Sequence, residues 1–174
     1  MKITDIKTIG LEFPFDHRGG PKASGGRGWK VLSTVLVEVS TDAGITGYGE
    51  AFSYNCRRAV QAVVEDTIAP FAIGEDASNI AGLSRDLQQK LHLFGRHGIT
   101  IFGLSGLDIA LWDIAGKAAG LPVHKLLGGP AHKKIEGYAS LFRFADVDSV
   151  ITNCKKAVDD GFKYIKLHEI TEPE

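Results

Sequence analysis

Two basic side chains near the end of the sequence could transfer protons. Lys166 and His168 lie two residues apart in the segment 163–168, which is typical of a β-strand. Because side chains alternate along a strand, both point to one face, and Ile165 and Leu167 point to the other. A neighbouring ammonium disfavours a second positive charge, so the imidazole of His168 stays neutral and able to accept a proton. A solvated lysine beside a structurally bonded histidine is the alternative that spacing alone leaves open.

Other polar side chains could hold a substrate. Ser140 shares one face of the preceding predicted strand with Tyr138 and lies nearer its C-terminal end. Arg18 and Arg27 lie in the glycine- and proline-rich segment 14–29, which predicts a mobile loop. Guanidinium groups suit carboxylates, so these arginines could clamp an acidic substrate. A hydroxyl that caps a strand end and two solvated arginines are the alternatives.

The elements that position these residues form two regions. The first runs from residue 1 to about 130 and is predicted to be α+β. Its pattern predicts a strand at 2–13, a hairpin of residues 35–39 with 45–51, a helix that ends at Pro70, a helix at 80–91 capped by Ser78 or Asn79, and a buried helix over 104–117 that stops at Gly120.

The second region starts near residue 131 and predicts parallel strands. A strand at 134–141, a helix around 150–158 closed by Gly161 and a strand at 163–168 form one βαβ unit. In a parallel α/β barrel the C-terminal ends of the strands carry the active site, and Lys166 and His168 lie at such an end. Two parallel strands cannot close a barrel, so we expect that a larger structure is missing or is completed by a partner.

Composition favours a globular protein without broad affinity for nucleic acid or membranes. The chain has 174 residues and a formal net charge of -1, and we expect no segment to be long enough to span a membrane. Its two cysteines, Cys56 and Cys154, predict separate reduced thiols, and the cytoplasm is the expected location.

The histidines show no metal-ligand spacing. The stretch Gly47–Glu50 lacks the strand-to-helix setting of a dinucleotide-binding motif, and Trp112 and Asp113 suggest packing and a structural hydrogen bond.

Three segments resemble the mandelate racemase and muconate-lactonising group of the enolase superfamily. The hairpin Val37–Ala51, the helix Ser105–Lys117 with the following Gly120-Leu121-Pro122 and Leu126–Gly129, and the strand Gly161–His168 are similar to the family's N-terminal hairpin, signature helix and second barrel strand. The resemblance covers essentially the whole chain. It implies an α+β capping domain at 1–130, followed at 131–174 by the first two β/α units of a truncated TIM-type barrel.

The resemblance also implies an activity. Members of this family use Mg²⁺ and abstract the proton next to a substrate carboxylate, and the metal stabilises the resulting enediolate. Lys166 matches the first lysine of the family's Lys-x-Lys pair, and His168 stands where the second, proton-transferring lysine would be. Two loops close over the substrate, here about 15–29 and 52–57, which adds Tyr54 to the expected substrate-binding residues Arg18, Arg27 and Ser140. The family's metal ligands lie on the third, fourth and fifth barrel strands, so none is assigned in this chain.

The leading interpretation is therefore the N-terminal part of an acid-sugar dehydratase, with a racemase or cycloisomerase next. The partner expected is a small carboxylate such as a sugar acid, and an exposed half-barrel edge predicts a homo-oligomer. We expect the 174 residues alone to be inactive. The alternative is a free-standing binding or assembly module in which Lys166 and His168 have no catalytic role.

Overall fold

The computed structural model describes residues 1–16, 30–144 and 146–168. The chain divides into two compact units. Unit 1 consists of Met1–Glu12 and Ser33–Pro130, and unit 2 of Phe13–Leu32 and Ala131–Glu174. The predicted loop at 15–29 lies almost entirely outside the described residues.

A small sheet forms one layer of unit 1. Its strands are β1 (Ile3–Pro14), β2 (Val31–Thr41) and β3 (Thr46–Ala51), in the order β1-β2-β3. β2 and β3 pair antiparallel, with Val37 opposite Gly49 and Val39 opposite Gly47. Val35, Val37 and Val39, which alternate along β2, are fully buried, as their period of two predicts. The predicted hairpin and the α+β arrangement of a sheet followed by helices are confirmed.

Helices form the second layer of unit 1. They are α1 (Arg57–Ala62), α2 (Ala69–Ala72), α3 (Ile80–Lys90), α4 (Gly98–Ala119) and α5 (Val123–Leu126), with a π-helical stretch at Val63–Ile68 and a 3₁₀ turn at His92–Phe94. The prediction that the first helix ends at Pro70 is wrong. Pro70 lacks a backbone N–H group, and its ring crowds the preceding turn. The π-helical stretch just before it is wider and accommodates the proline, so the helical backbone continues to Ala72.

Glycines let α4 lie directly on β3. A Cβ atom on Gly49 would stand 2.0 Å from the carbonyl oxygen of Gly106, and one on Gly47 would stand 2.3 Å from that of Ala110. From the helix side, a Cβ atom on Gly106 would stand 2.7 Å from Cγ2 of Val37. The Gly47–Glu50 stretch therefore serves backbone-to-backbone packing in the core.

α4 is 22 residues long and apolar enough to cross a membrane by length and composition. The expectation that no segment reaches such a length is therefore wrong. Its apolar side chains have other partners, because Leu104, Leu107, Leu111 and Ile114 are buried in the core of unit 1. As predicted, Gly120 ends the helix, with φ 66° in the left-handed region.

Unit 2 contains a strand–helix–strand arrangement. β4 (Ala139–Ser140) and β5 (Ile165–Lys166) pair in parallel, and α6 (Val147–Asp159) connects them. The predicted βαβ unit is confirmed, but its strands are two residues long where the sequence predicted eight and six. Among the described residues, β4 and β5 each pair only with the other, so no further strand supports a longer ladder. Ile135, which was predicted to belong to the first of these strands, is 85% exposed.

Candidate active-site face

Three of the predicted site residues share one face of the β4–β5 pair. Ser140 lies directly opposite Lys166 in the parallel register, and His168 follows Lys166 by two residues. Opposite residues on adjacent strands point the same way, as do residues two apart. The pairing therefore brings Ser140 opposite Lys166 at the C-terminal ends of both strands, with His168 just beyond the end of β5. All three residues are exposed.

The other face of the pair is apolar and covered. Ala139 is 9% exposed, and Ala157 of α6, which is 4% exposed, lines the same cavity of about 200 Å³. Ile165, opposite Ala139, is half-buried. Ala139 is thus covered, whereas Ser140, Lys166 and His168 are exposed and accessible to a ligand at the strand ends, where an α/β barrel has its active site.

Backbone hydrogen bonds extend the pairing towards His168. The N–H of Leu141 donates to the carbonyl oxygen of Lys166 at 3.0 Å. Nδ1 of His168 donates to the carbonyl oxygen of Leu141 at 2.6 Å, since a carbonyl oxygen can only accept. His168 is therefore held against β4 by its side chain. Sequence reasoning missed Leu141, because a backbone carbonyl has no signature in the residue types.

The ammonium group of Lys166 belongs to an exposed side chain. No described residue forms an ion pair with its ammonium group, whereas Lys163 nearby pairs with Glu136. A cation that none of the described residues pairs with attracts an anionic group, and a carboxylate is the common biological case. The face is thus suited to binding a small acid and to moving a proton next to it.

Tyr54 lies in unit 1, on the short loop that follows β3. The loop buries Ser53, whose hydroxyl donates to the carbonyl oxygen of Ser33 at 3.5 Å, and Asn55 has a left-handed φ of 54°. This anchoring presents the rings of Phe52 and Tyr54 outward, at 56% and 43% exposure, with their centroids 6.3 Å apart. Tyr54 is thus an exposed loop aromatic, as its predicted role requires.

The structure does not place every predicted residue. Arg18 and Arg27 lie outside the described residues, and Tyr54 belongs to a different unit from Ser140, Lys166 and His168. The structure therefore places three of the six predicted residues, Ser140, Lys166 and His168, along or directly after the β4–β5 pair, and their role as a site stays a prediction.

The described residues do not fit a magnesium ion. Mg²⁺ prefers octahedral oxygen ligands, usually including carboxylates. Among residues 1–16, 30–144 and 146–168, no three side chains of His, Cys, Asp or Glu are grouped so that they could hold a metal ion. The face with Lys166 offers one hydroxyl oxygen and two nitrogen groups.

Comparison with known proteins identifies the family. Residues 26–128 match the family described as "Mandelate racemase / muconate lactonizing enzyme, N-terminal domain". The chain belongs to the mandelate racemase/muconate lactonizing enzyme family. The resemblance seen in the hairpin and in the signature helix, now β2–β3 and α4, is thereby confirmed.

Individual members of the family are similar to this chain in sequence and in structure. The chain is 37% identical over 139 residues to arabinonate dehydratase of Saccharolobus solfataricus, a match that covers 78% of this chain and 37% of the relative. It is 36% identical over 141 residues to D-galactonate dehydratase of Verminephrobacter eiseniae, with 79% and 35% covered. A solved enolase-superfamily member from Polaromonas sp. JS666 aligns with a TM-score of 0.80 at 31% identity, covering 96% of this chain and 44% of that one. The chain spans about a third of the length of these curated relatives.

Proposed function

We propose that this chain is the N-terminal part of an acid-sugar dehydratase that removes the proton next to a substrate carboxylate. The observation that carries the proposal is the shared face of Ser140, Lys166 and His168. It is supported by the identity of 37% with arabinonate dehydratase and of 36% with D-galactonate dehydratase. An acidic substrate also suits the positive charge of Lys166, which forms no ion pair among the described residues.

Each of the three side chains has a role in the proposed reaction. His168 accepts the α-proton of the bound acid, and the electron pair of the broken C–H bond moves towards the carboxylate. Lys166 places its positive charge beside the enediolate that forms, which favours the charged intermediate over the neutral acid. Ser140 donates a hydrogen bond to the substrate. The hydroxyl group on the β-carbon then leaves as hydroxide and takes up a proton to form water. The remaining enol tautomerises to the 2-keto acid.

The proposal extends to the surrounding protein. Residues 1–130 form the capping domain and 131–174 the start of a TIM-type barrel. The unit boundary after Pro130 supports this division, whereas Phe13–Leu32 group with unit 2. Tyr54, Arg18 and Arg27 contact the substrate from closing loops. A Mg²⁺ ion bound in the complete enzyme would supply positive charge for the enediolate, and its ligands would lie outside the described residues. We also propose a cytoplasmic homo-oligomer, to be tested by fractionation and light scattering.

The test follows the α-hydrogen of candidate substrates. The protein translated from the uninterrupted reading frame that contains these 174 residues is incubated with Mg²⁺ and sugar acids, arabinonate and galactonate among them, in deuterated water. We expect formation of a 2-keto product together with deuterium at the α-carbon of the recovered acid. Exchange with no loss of water would instead indicate a racemase. Absence of both from a panel of acids would favour the alternative, a binding or assembly module.

A further inference from the structure

The hydrogen bond of His168 decides which of its nitrogens can react. A neutral imidazole carries one proton, and the nitrogen without it accepts. Because Nδ1 donates to the carbonyl oxygen of Leu141 at 2.6 Å, the proton of the neutral ring stays on Nδ1. Nε2 then keeps its lone pair. In a free neutral imidazole side chain the proton prefers Nε2, so this contact reverses the ordinary preference.

The position of that carbonyl is set by residues on both sides of it. The oxygen belongs to the peptide group that joins Leu141 to Phe142. On one side, the N–H of Leu141 is bonded to the carbonyl oxygen of Lys166 at 3.0 Å. On the other side, the ring of Phe142 packs edge-to-face on Phe15, with centroids 5.4 Å apart and planes at 64°. Both rings are half-buried and line the same cavity.

We propose that Phe142, packed against Phe15, is a positioning residue that aims the Leu141 carbonyl at Nδ1 and so presents unprotonated Nε2 of His168 as the proton acceptor. The ring fixes the backbone rotation at Phe142, while the bond from Leu141 fixes the other end of the strand. With both ends held, the peptide group between them has one orientation. The role of His168 as proton acceptor rests on the proposed function, but the location of the proton on Nδ1 of its ring does not.

The first experiment reads the protonated nitrogen directly. The 174-residue chain is labelled with ¹⁵N-histidine, and long-range ¹H–¹⁵N spectra are recorded at mildly alkaline pH, where the ring is neutral. The His168→Gln variant identifies the His168 signals among the six histidines. We expect Nδ1 to show the shift of a protonated nitrogen and Nε2 that of an unprotonated one. The opposite pattern in the parent chain would overturn the proposal.

The second experiment tests the positioning residue against a matched control. Phe142→Leu removes the ring contact with Phe15, whereas Phe162→Leu removes a ring that lines the same cavity without adjoining the Leu141 peptide. We expect the Nδ1–H form of His168 to fall several-fold in Phe142→Leu and to stay at the parent level in Phe162→Leu. Phe15→Leu, which changes the partner ring, should act like Phe142→Leu. Circular dichroism checks that each variant keeps its helices.

The outcomes separate this proposal from the proposed function. A parent-level tautomer ratio in folded Phe142→Leu and Phe15→Leu would overturn the positioning role, whatever the enzyme does. Should Phe142→Leu not fold, the Phe15→Leu spectrum decides in the same way. If the tautomer behaves as expected while the complete enzyme exchanges no α-hydrogen, the positioning role stands and the dehydratase proposal fails.

Discussion

At the scale of single residues, the proposed chemistry depends on His168. His168→Asn keeps a similar shape and removes the basic nitrogen. In the complete enzyme we expect the exchange of the α-hydrogen with deuterated water to fall by roughly a hundred- to ten-thousand-fold. Lys166→Met should also slow exchange, because it removes the charge beside the enediolate. Loss of exchange with Lys166→Met but not with His168→Asn would reverse the two roles.

A glycine decides the stability of unit 1 at the same scale. Gly49→Ala would place a methyl group 2.0 Å from the carbonyl oxygen of Gly106 and 2.6 Å from the amide nitrogen of Ala110, both backbone atoms of α4. Since neither can move without shifting the helix, we expect a loss of about 3 kcal/mol in the free energy of unfolding by urea. Gly137→Ala is the control, because its methyl group would meet its nearest atom at 4.0 Å. Equal losses in both variants would contradict the packing argument.

At the scale of elements, α4 protects the free edge of β3. Asp113 accepts a hydrogen bond from the N–H of Tyr48 at 2.9 Å, and Lys117 donates to the carbonyl oxygen of Thr46 at 2.8 Å. The same two side chains form an ion pair at 2.7 Å. Asp113 and Lys117 thus form hydrogen bonds with backbone groups of an edge strand. These groups would otherwise be available to pair with another chain. The structural hydrogen bond expected of Asp113 is therefore present.

This arrangement predicts that Asp113→Ala weakens and exposes the edge. We expect a loss of about 1 kcal/mol in unfolding free energy, because the N–H of Tyr48 loses its partner and Lys117 loses its ion pair. We also expect faster aggregation in light scattering. Lys156→Ala breaks the comparable pair of Lys156 with Asp160, which covers no strand edge, and should change neither quantity measurably. Aggregation that rises equally in both variants would argue against edge protection.

The start of α6 predicts a dependence on acid. The N–H of Ser149 donates to Asp146 at 2.7 Å, and this bond, with a second from the Ser149 hydroxyl, holds the pKa of Asp146 below its usual 3.8. A pKa lowered by folding means that the stabilisation is present above 3.8 and is lost as the pH falls through the lowered value. Asp146→Ala should therefore reduce the thermal midpoint by a few degrees at neutral pH, and the difference should shrink in strong acid. Asp148→Ala, which retains the cap, should change the midpoint less at either pH.

At the scale of the whole molecule, we expect the 174-residue chain to have no turnover by itself. The described residues contain no group of carboxylates that could hold Mg²⁺, and they form two strands of the proposed barrel. Purified chain with Mg²⁺ and a panel of sugar acids should therefore yield no more 2-keto acid than a buffer blank. Product above the blank that disappears in His168→Asn would contradict this expectation.

The sequence by itself determined those features that depend on local geometry. The period of two in β2 and the spacing of Lys166 and His168 follow from local geometry, since side chains alternate in any strand. The left-handed φ at Gly120 is likewise a local property of glycine, and it marked the end of α4 correctly. The family could be recognised because α4 and its following turn form a long contiguous pattern.

Only the tertiary structure decided what depends on residues distant in the sequence. The register that sets Ser140 opposite Lys166, the carbonyl of Leu141 that holds His168, and the shortness of β4 and β5 all depend on which strands meet. The close approach of Gly49 to α4 and the bond of Asp113 to Tyr48 join residues 57 and 65 positions apart. Such contacts follow from packing, in which partners far apart in the chain must match in shape and polarity, and a local pattern of residue types carries no record of that match.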